Sequence, residues 1–221
     1  MSAELVDFIY KWKEIAGAII GGLFSLGVAL IVARDARTRE DRSASTLLIV
    51  TFTNFLARHA SLTDLEKGKS VPAQDRHKWL SEKLAKSGPK LSPLAEAALA
   101  RLLPIGAALA AHFELFRTLH GELESHTERI SQDYRDFHEH GKAFRSADVM
   151  EADAKIVVSA FDGAAKHAEC AAYLLEKLVL SQFPTWNYIR MCLFPTQQDR
   201  VCRCLRNGID AQPIIPPDAA R

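Results

Sequence analysis

Three acid–histidine pairs stand four residues apart in the middle of the chain: His120 with Glu124, Glu122 with His126, and Asp136 with His140. On a helix that spacing puts two side chains on one face, where they could hold a metal ion or share a proton. A di-iron bundle needs more, namely Glu-x-x-His on two helices with further glutamates opposite. The sequence contains no Glu-x-x-His, and no His-Glu-x-x-His of the zinc-protease type. His138 and His140, on either side of Glu139, fall on nearly opposite sides of a helix. The expected arrangement is histidines and glutamates on solvated faces.

The four cysteines, Cys170, Cys192, Cys202 and Cys204, all lie in the last quarter of the 221 residues. Their spacing matches no zinc pattern. Cys202 and Cys204 are two apart, and residues two apart on a helix do not face each other. Reduced thiols in a reducing compartment are the simpler expectation. The glycine-rich stretch "GGLFSLG" lies inside an apolar run and has no lysine, so it is not a phosphate-binding loop. Arg101, Arg117, Arg129, Arg135 and Arg145 are interspersed with acids, as on a solvated face. A net charge of +1 excludes nucleic-acid binding through bulk basicity. No catalytic residue, cofactor or metal ligand is expected, and the reading leans away from an enzyme.

Behind these residues stand the elements that must carry them. Residues 15–33 contain no charge. As a helix of about nineteen residues at about 1.5 Å rise they would be roughly 28 Å long. That matches a hydrocarbon core of about 30 Å. A cleaved signal sequence would have a shorter apolar region ending at a small-residue cleavage site. Here the run passes directly into "RDARTREDR", and Tyr10 and Trp12 precede it at the level amphipathic aromatics favour. A retained transmembrane helix is expected over 15–33, behind a short interfacial segment at 1–14.

Lys11 and Lys13 flank the run on one side, and Arg34, Arg37, Arg39 and Arg42 on the other. The positive-inside rule then places the arginine side, and the bulk of the chain, at the cytoplasmic face of the inner cell membrane. Ala18, Gly22, Ser25 and Ala29 recur at helical spacing and form a face of small side chains. Such faces let membrane helices approach closely, so these four residues are the candidate oligomerisation site.

The rest reads as all-α, a helical bundle over 34–208 with a flexible tail at 209–221. Asp35/Arg39 and Arg37/Asp41 are opposite-charge pairs at helical spacing. Leu48, Phe52, Phe55 and Leu62 mark the buried stripe of a packing helix. "KGKSVP" breaks the pattern, and "DRHKWLSEKLAK" is a short amphipathic helix. Ser92 before Pro93 reads as a cap and a first helical residue. Pro104 should mark a kink or break between two helical segments of the stretch that follows. Phe116, Leu123, Ile130 and Phe137 repeat every seven residues in a coiled-coil-like seam, made irregular by His126 and Asp133. Gly141 is read as closing that helix and Ser146 as opening the next, whose stripe runs from Val149 through Ile156, Phe161 and Ala168 to Leu178. Pro184 and Pro195 bracket a short helix, and Thr196 caps a last one ending at Asn207 and Gly208. No strict alternation suggests strands.

The function expected from this is a single-pass membrane protein whose helical bundle regulates or holds a protein partner at the inner face. Its expected partners are the lipid bilayer, further copies of itself and an unidentified protein, with no nucleic acid. The alternatives are an oligomeric membrane-acting effector of the pore-forming or permeabilising kind, and a membrane-tethered enzyme with a scattered His/Glu/Cys site.

Overall fold

The computed structural model describes residues 3–72, 75–140 and 146–208. Among these residues it is nearly all helical, with seven α-helices and no strand. The helices are α1 (Ala3–Gly68), α2 (Arg76–Ser87), α3 (Pro93–Leu102), α4 (Ala107–His140), α5 (Ala147–Leu175), α6 (Pro184–Leu193) and α7 (Gln197–Arg206). The chain divides into two units, Met1–Ser43 and Ala44–Arg221, and residues of α1 contribute to both.

In the first unit, α1 is long and apolar enough to cross a membrane by length and composition. From residue 19 to 32 every large apolar side chain is exposed, from 45% at Val28 to 73% at Phe24. The small residues Ala18, Gly22, Ser25 and Ala29 are exposed as well, and a Cβ added at Gly22 would meet nothing within 4 Å. Beyond the apolar run, Arg39 pairs with Asp35 at 2.8 Å. Thr38 and Ser43 donate their hydroxyls to the carbonyls of Arg34 and Arg39, which satisfies them without breaking the helix.

The second unit has a core of its own. Along α1, Leu48, Phe52, Phe55 and Leu62 are all buried, at the spacing the sequence suggested. Phe52 and Phe55 meet Phe116 of α4 edge-on, at centroid distances of 5.0 and 5.4 Å, and Phe55 meets Phe161 of α5 at 5.5 Å. Offset and edge-on geometries suit the ring quadrupoles and add to the gain from burial. Leu109, Phe113, Phe116, Leu123 and Ile130 form the inner face of α4. Alanines 160, 164, 168 and 171 line the inner face of α5, where small side chains allow close packing. A Cβ on Gly163 would already lie 3.0 Å from Leu119 Cδ1.

Side-chain pairs fix the direction of these helices. His112 and His126 of α4 meet His167 and Asp153 of α5, so α4 and α5 are antiparallel. Phe52 meets Phe113 while Phe55 meets His120, so α1 and α4 run the same way. One end of the bundle therefore gathers the first turns of α1 in this unit, the start of α4 and the end of α5. The π-helical turn at Glu176–Leu180 and α6 follow at that end.

The boundaries have local causes. Ser92 accepts from the Ala95 amide at 3.2 Å with Pro93 at the first helical position. At Pro104 the chain does more than bend. α3 ends at Leu102, a 3₁₀ turn spans Leu103–Ile105, and α4 starts afresh at Ala107. Proline lacks the N–H and crowds the preceding turn, so a separate helix is the cheaper solution. Thr196 and Asp199 form a reciprocal capping box at the start of α7. Gly208 closes it at φ +68°, in the left-handed region that glycine adopts without cost. Ser146 stands at the N-cap of α5, but its hydroxyl makes no cap bond. The expected closure at Gly141 and the tail at 209–221 lie outside the described residues.

Some expectations need correction. Phe137 is 43% exposed, so the seven-residue stripe is buried only from Phe116 to Ile130. Val149 and Ile156 also face outward, and the core face of α5 is made by Val157, Phe161 and its alanines instead.

Candidate functional site

His112 and His167 are both buried, one on α4 and one on α5. Their Nδ1 atoms are 3.0 Å apart, and His112 Nε2 lies 3.1 Å from the Cys202 carbonyl of α7. A carbonyl only accepts, so His112 carries its proton on Nε2. A neutral His112 then presents a bare Nδ1, and His167 donates to it from Nδ1. Burial and the neighbouring His167 push His112 down to about 4. Burial, with Lys166 nearby, lowers His167 as well. Both rings are neutral at pH 7. The pair joins three helices through a chain of hydrogen bonds whose polarity is set by the Cys202 carbonyl.

The same corner holds Cys170 and Cys202, both buried and free. The Cys202 thiol is raised by its hydrogen bond with Cys170 and by burial, so it stays protonated and is a poor nucleophile. Cys192 is exposed and Cys204 half-buried. Of the loose grouping of Cys192, Cys202 and Cys204, only Cys202 is buried, and its thiol partner is Cys170. Among the described residues, no group of three or more His, Cys, Asp or Glu could hold a metal ion.

Asp199, also buried, accepts from the Tyr173 hydroxyl at 3.0 Å and from the Thr196 amide and hydroxyl at 2.7 Å each. Burial alone would raise this carboxyl, but the bonds from Thr196 and Tyr173 and the charge of Arg190 outweigh it and hold it low. A cleft of about 710 Å³ opens beside this corner, lined by the start of α4, the end of α5, α6 and α7. His112 borders it, but both ring nitrogens are already used, so it offers the cleft no free base. Arg203 and Arg206 border it too.

A second cluster ties α1, α2 and α5. His59 Nε2 is 2.9 Å from Asp162 Oδ1, and Arg76 donates to both Glu66 and Asp162. Burial would raise Asp162, and the bonds from His59 and Arg76 bring it below its ordinary value. An adjoining hollow of about 380 Å³ is lined by Leu56, Thr63 and Lys166 among others. The only hydroxyl among its lining residues, on Thr63, donates to the His59 carbonyl within its own helix. The arrangement is a clamp across three helices and sets up no nucleophile.

The acid–histidine pairs read from sequence separate here. His120 is buried with its Nδ1 3.7 Å from Glu124, and burial lowers its basicity. His126 is turned inward too, bonded through Nδ1 to Asp153 of α5 at 2.7 Å. Neither occupies the solvated face expected of it, because each lies on or beside the stripe of Phe116 and Leu123. Nothing is described for the side chain of His140.

Against known proteins the result is negative. No family model, curated protein or solved structure matches this chain. The functional reading therefore rests on the residues themselves, and His112 and His167 are the ones that spacing alone missed. A signal for them did exist. His112 follows Leu109 by three residues and precedes Phe116 by four, and His167 stands in the same relation to Ala164 and Ala171. Both sit on the buried stripe of their helix.

Proposed function

We propose that the chain is a membrane-anchored helical interaction protein, held by residues 15–33 in the inner cell membrane with its bundle at the cytoplasmic face. The observation that carries the reading is the contrast in covering. Between residues 19 and 32 the apolar side chains have no protein over them, whereas Leu48, Phe52, Phe55 and Leu62 are sealed inside the bundle. Removing a large aliphatic or aromatic side chain from water gains about 1.5–3 kcal/mol. A bilayer supplies that gain for the whole run at once. The arginines at 34, 37, 39 and 42 support the inward orientation.

The bundle's polar groups are arranged for structure and recognition. His112 is bonded to His167 and to the Cys202 carbonyl, Asp199 to Tyr173 and Thr196, and the Cys202 thiol stays protonated. Self-association through Ala18, Gly22, Ser25 and Ala29 belongs to the same reading, since an exposed small face lets two backbones approach. Deleting residues 15–33 tests the anchor. The full chain is expected in the membrane fraction, resistant to alkaline carbonate, and the deletion variant in the soluble fraction. A full chain that carbonate releases would contradict the anchor.

A further inference from the structure

The segment "FPTWNYIRMCLF" leaves an apolar face uncovered. Phe183, Trp186, Ile189 and Leu193 follow one another at three- and four-residue steps, which is one face of α6, and Phe194 extends it. Trp186 is 65% exposed and Phe194 76%, and the other three are exposed as well. The opposite side of α6 is occupied. Met191 packs against the core, and Asn187 donates to the Lys177 carbonyl and the Ser181 hydroxyl. The uncovered aromatics are therefore held in place by a docked helix.

We infer that this face of α6 is a second membrane contact, which seats the bundle on the headgroup region of an anionic bilayer. The inference rests on the anchored reading above and names the surface that the bundle turns toward the lipid. Three observations select lipid over another occupant. Tryptophan and phenylalanine on a short helix that is followed by an arginine-bearing one is a composition that favours the membrane–water interface. Between residues 181 and 208 there are four arginines, Arg190, Arg200, Arg203 and Arg206, against one acid, the buried Asp199. Since the chain as a whole carries only +1, this basic charge is concentrated here and the remainder is slightly acidic. Anionic headgroups attract such a cluster.

The third observation is topological. α6 stands at the end of the bundle where residues 44–52 of α1 enter it. Only ten residues, 34–43, separate that unit from the apolar run. Even fully extended, ten residues span at most about 36 Å. A tether that short keeps the effective concentration of α6 at the bilayer high, so a modest interfacial affinity is enough.

The test uses the full chain carrying Trp12→Phe and Trp79→Phe, which leaves Trp186 as the only tryptophan. It is reconstituted into vesicles of phosphatidylcholine, with or without phosphatidylserine, whose acyl chains are brominated. Trp186 emission is expected to lose most of its intensity to the bromines and to shift to shorter wavelength, and to lose less where phosphatidylserine is omitted. Adding Phe183→Ser and Phe194→Ser should restore the emission while the chain stays carbonate-resistant. Unquenched Trp186 in a carbonate-resistant chain would overturn the second contact and leave the anchor standing. Should the exposed Cys192 instead cross-link between copies, with Trp186 unquenched, the face is an interface between chains and the inference fails. Release of the chain by carbonate would remove the anchored reading together with this one.

Discussion

His112 and His167 stand with their Nδ1 atoms 3.0 Å apart between α4 and α5, and the His167 Nδ1 proton lies between them. A further proton on this pair, beyond the one each neutral ring carries, would place a charge in the buried corner that also holds Cys170 and Cys202. That has a consequence for stability. His112 titrates near 6.5 when unfolded and at about 4 when folded, so the unfolded chain binds the extra proton first. Stability should be flat above pH 6.5, decline as pH falls toward 4, and level off for this group below that. By linkage the loss at pH 4 is about 3 kcal/mol. Asp162 and Asp199, held low in the fold, add their losses only below their ordinary carboxylate value near 3.8. Denaturant unfolding of the full chain in detergent, at pH 7 and pH 4.5, should show this slope, and His112→Gln should reduce it, the remainder coming from His120 and His167, which burial also lowers. An unchanged slope in the variant would assign the effect to other groups.

The clamp on Asp162 gives a separate expectation. Replacing Arg76 by Met removes the donor shared by Glu66 and Asp162 and leaves two partly buried carboxylates without their common counter-charge. All three side chains keep some solvent, so the cost should be about 1–2 kcal/mol, below that of a fully buried pair. Asp162→Asn in the same background should recover part of it, since a carboxylate charge is removed. Denaturation midpoints of the single and double variants provide the check, and additive losses would mean the two residues are not coupled.

How much of this could be read from the sequence differs by level. The α1 stripe of Leu48, Phe52, Phe55 and Leu62, the caps at Ser92 and Thr196, and the break at Pro104 were legible, because each depends on residues within one or two turns. The alanine-rich inner face of α5 was half-legible. Its period was plain, but Val149 and Ile156 looked like core residues and are exposed, since the neighbours that decide burial come from α2 and α4. The candidate site was not read. His112 and His167 are 55 residues apart, and no local pattern joins two residues on antiparallel helices. His120 and His126 were misplaced for the opposite reason. An acid four residues away suggested a solvated pair, and the stripe of Phe116 and Leu123 beside them was given too little weight.

The aromatic cluster sets the scale of the core. Phe52 is fully buried and touches both Phe113 and Phe116. Phe52→Ala should cost about 3–5 kcal/mol through lost burial and the cavity it leaves. The same change at Phe183, which is exposed, should cost well under 1 kcal/mol. Equal destabilisation by the two would place Phe183 in a folded contact.

Self-association of the anchor is tested at Gly22, where an added Cβ meets nothing within 4 Å. Gly22→Leu is expected to lower the yield of cross-linked oligomer in membranes, and Leu23→Ile to leave it unchanged. Both keep the run apolar, so insertion is preserved. Equal yields from the two variants would mean that the small face does not pack against another copy.

The placement of the bundle at the inner membrane face is tested most directly by the exposed thiol of Cys192. Sealed cells are treated with a membrane-impermeant maleimide, then broken and treated again with a distinguishable one. Cys192 is predicted to react only in the second step, with the buried Cys170 and Cys202 reacting only after denaturation. Labelling of Cys192 in the sealed cells would put the bundle outside and contradict the account.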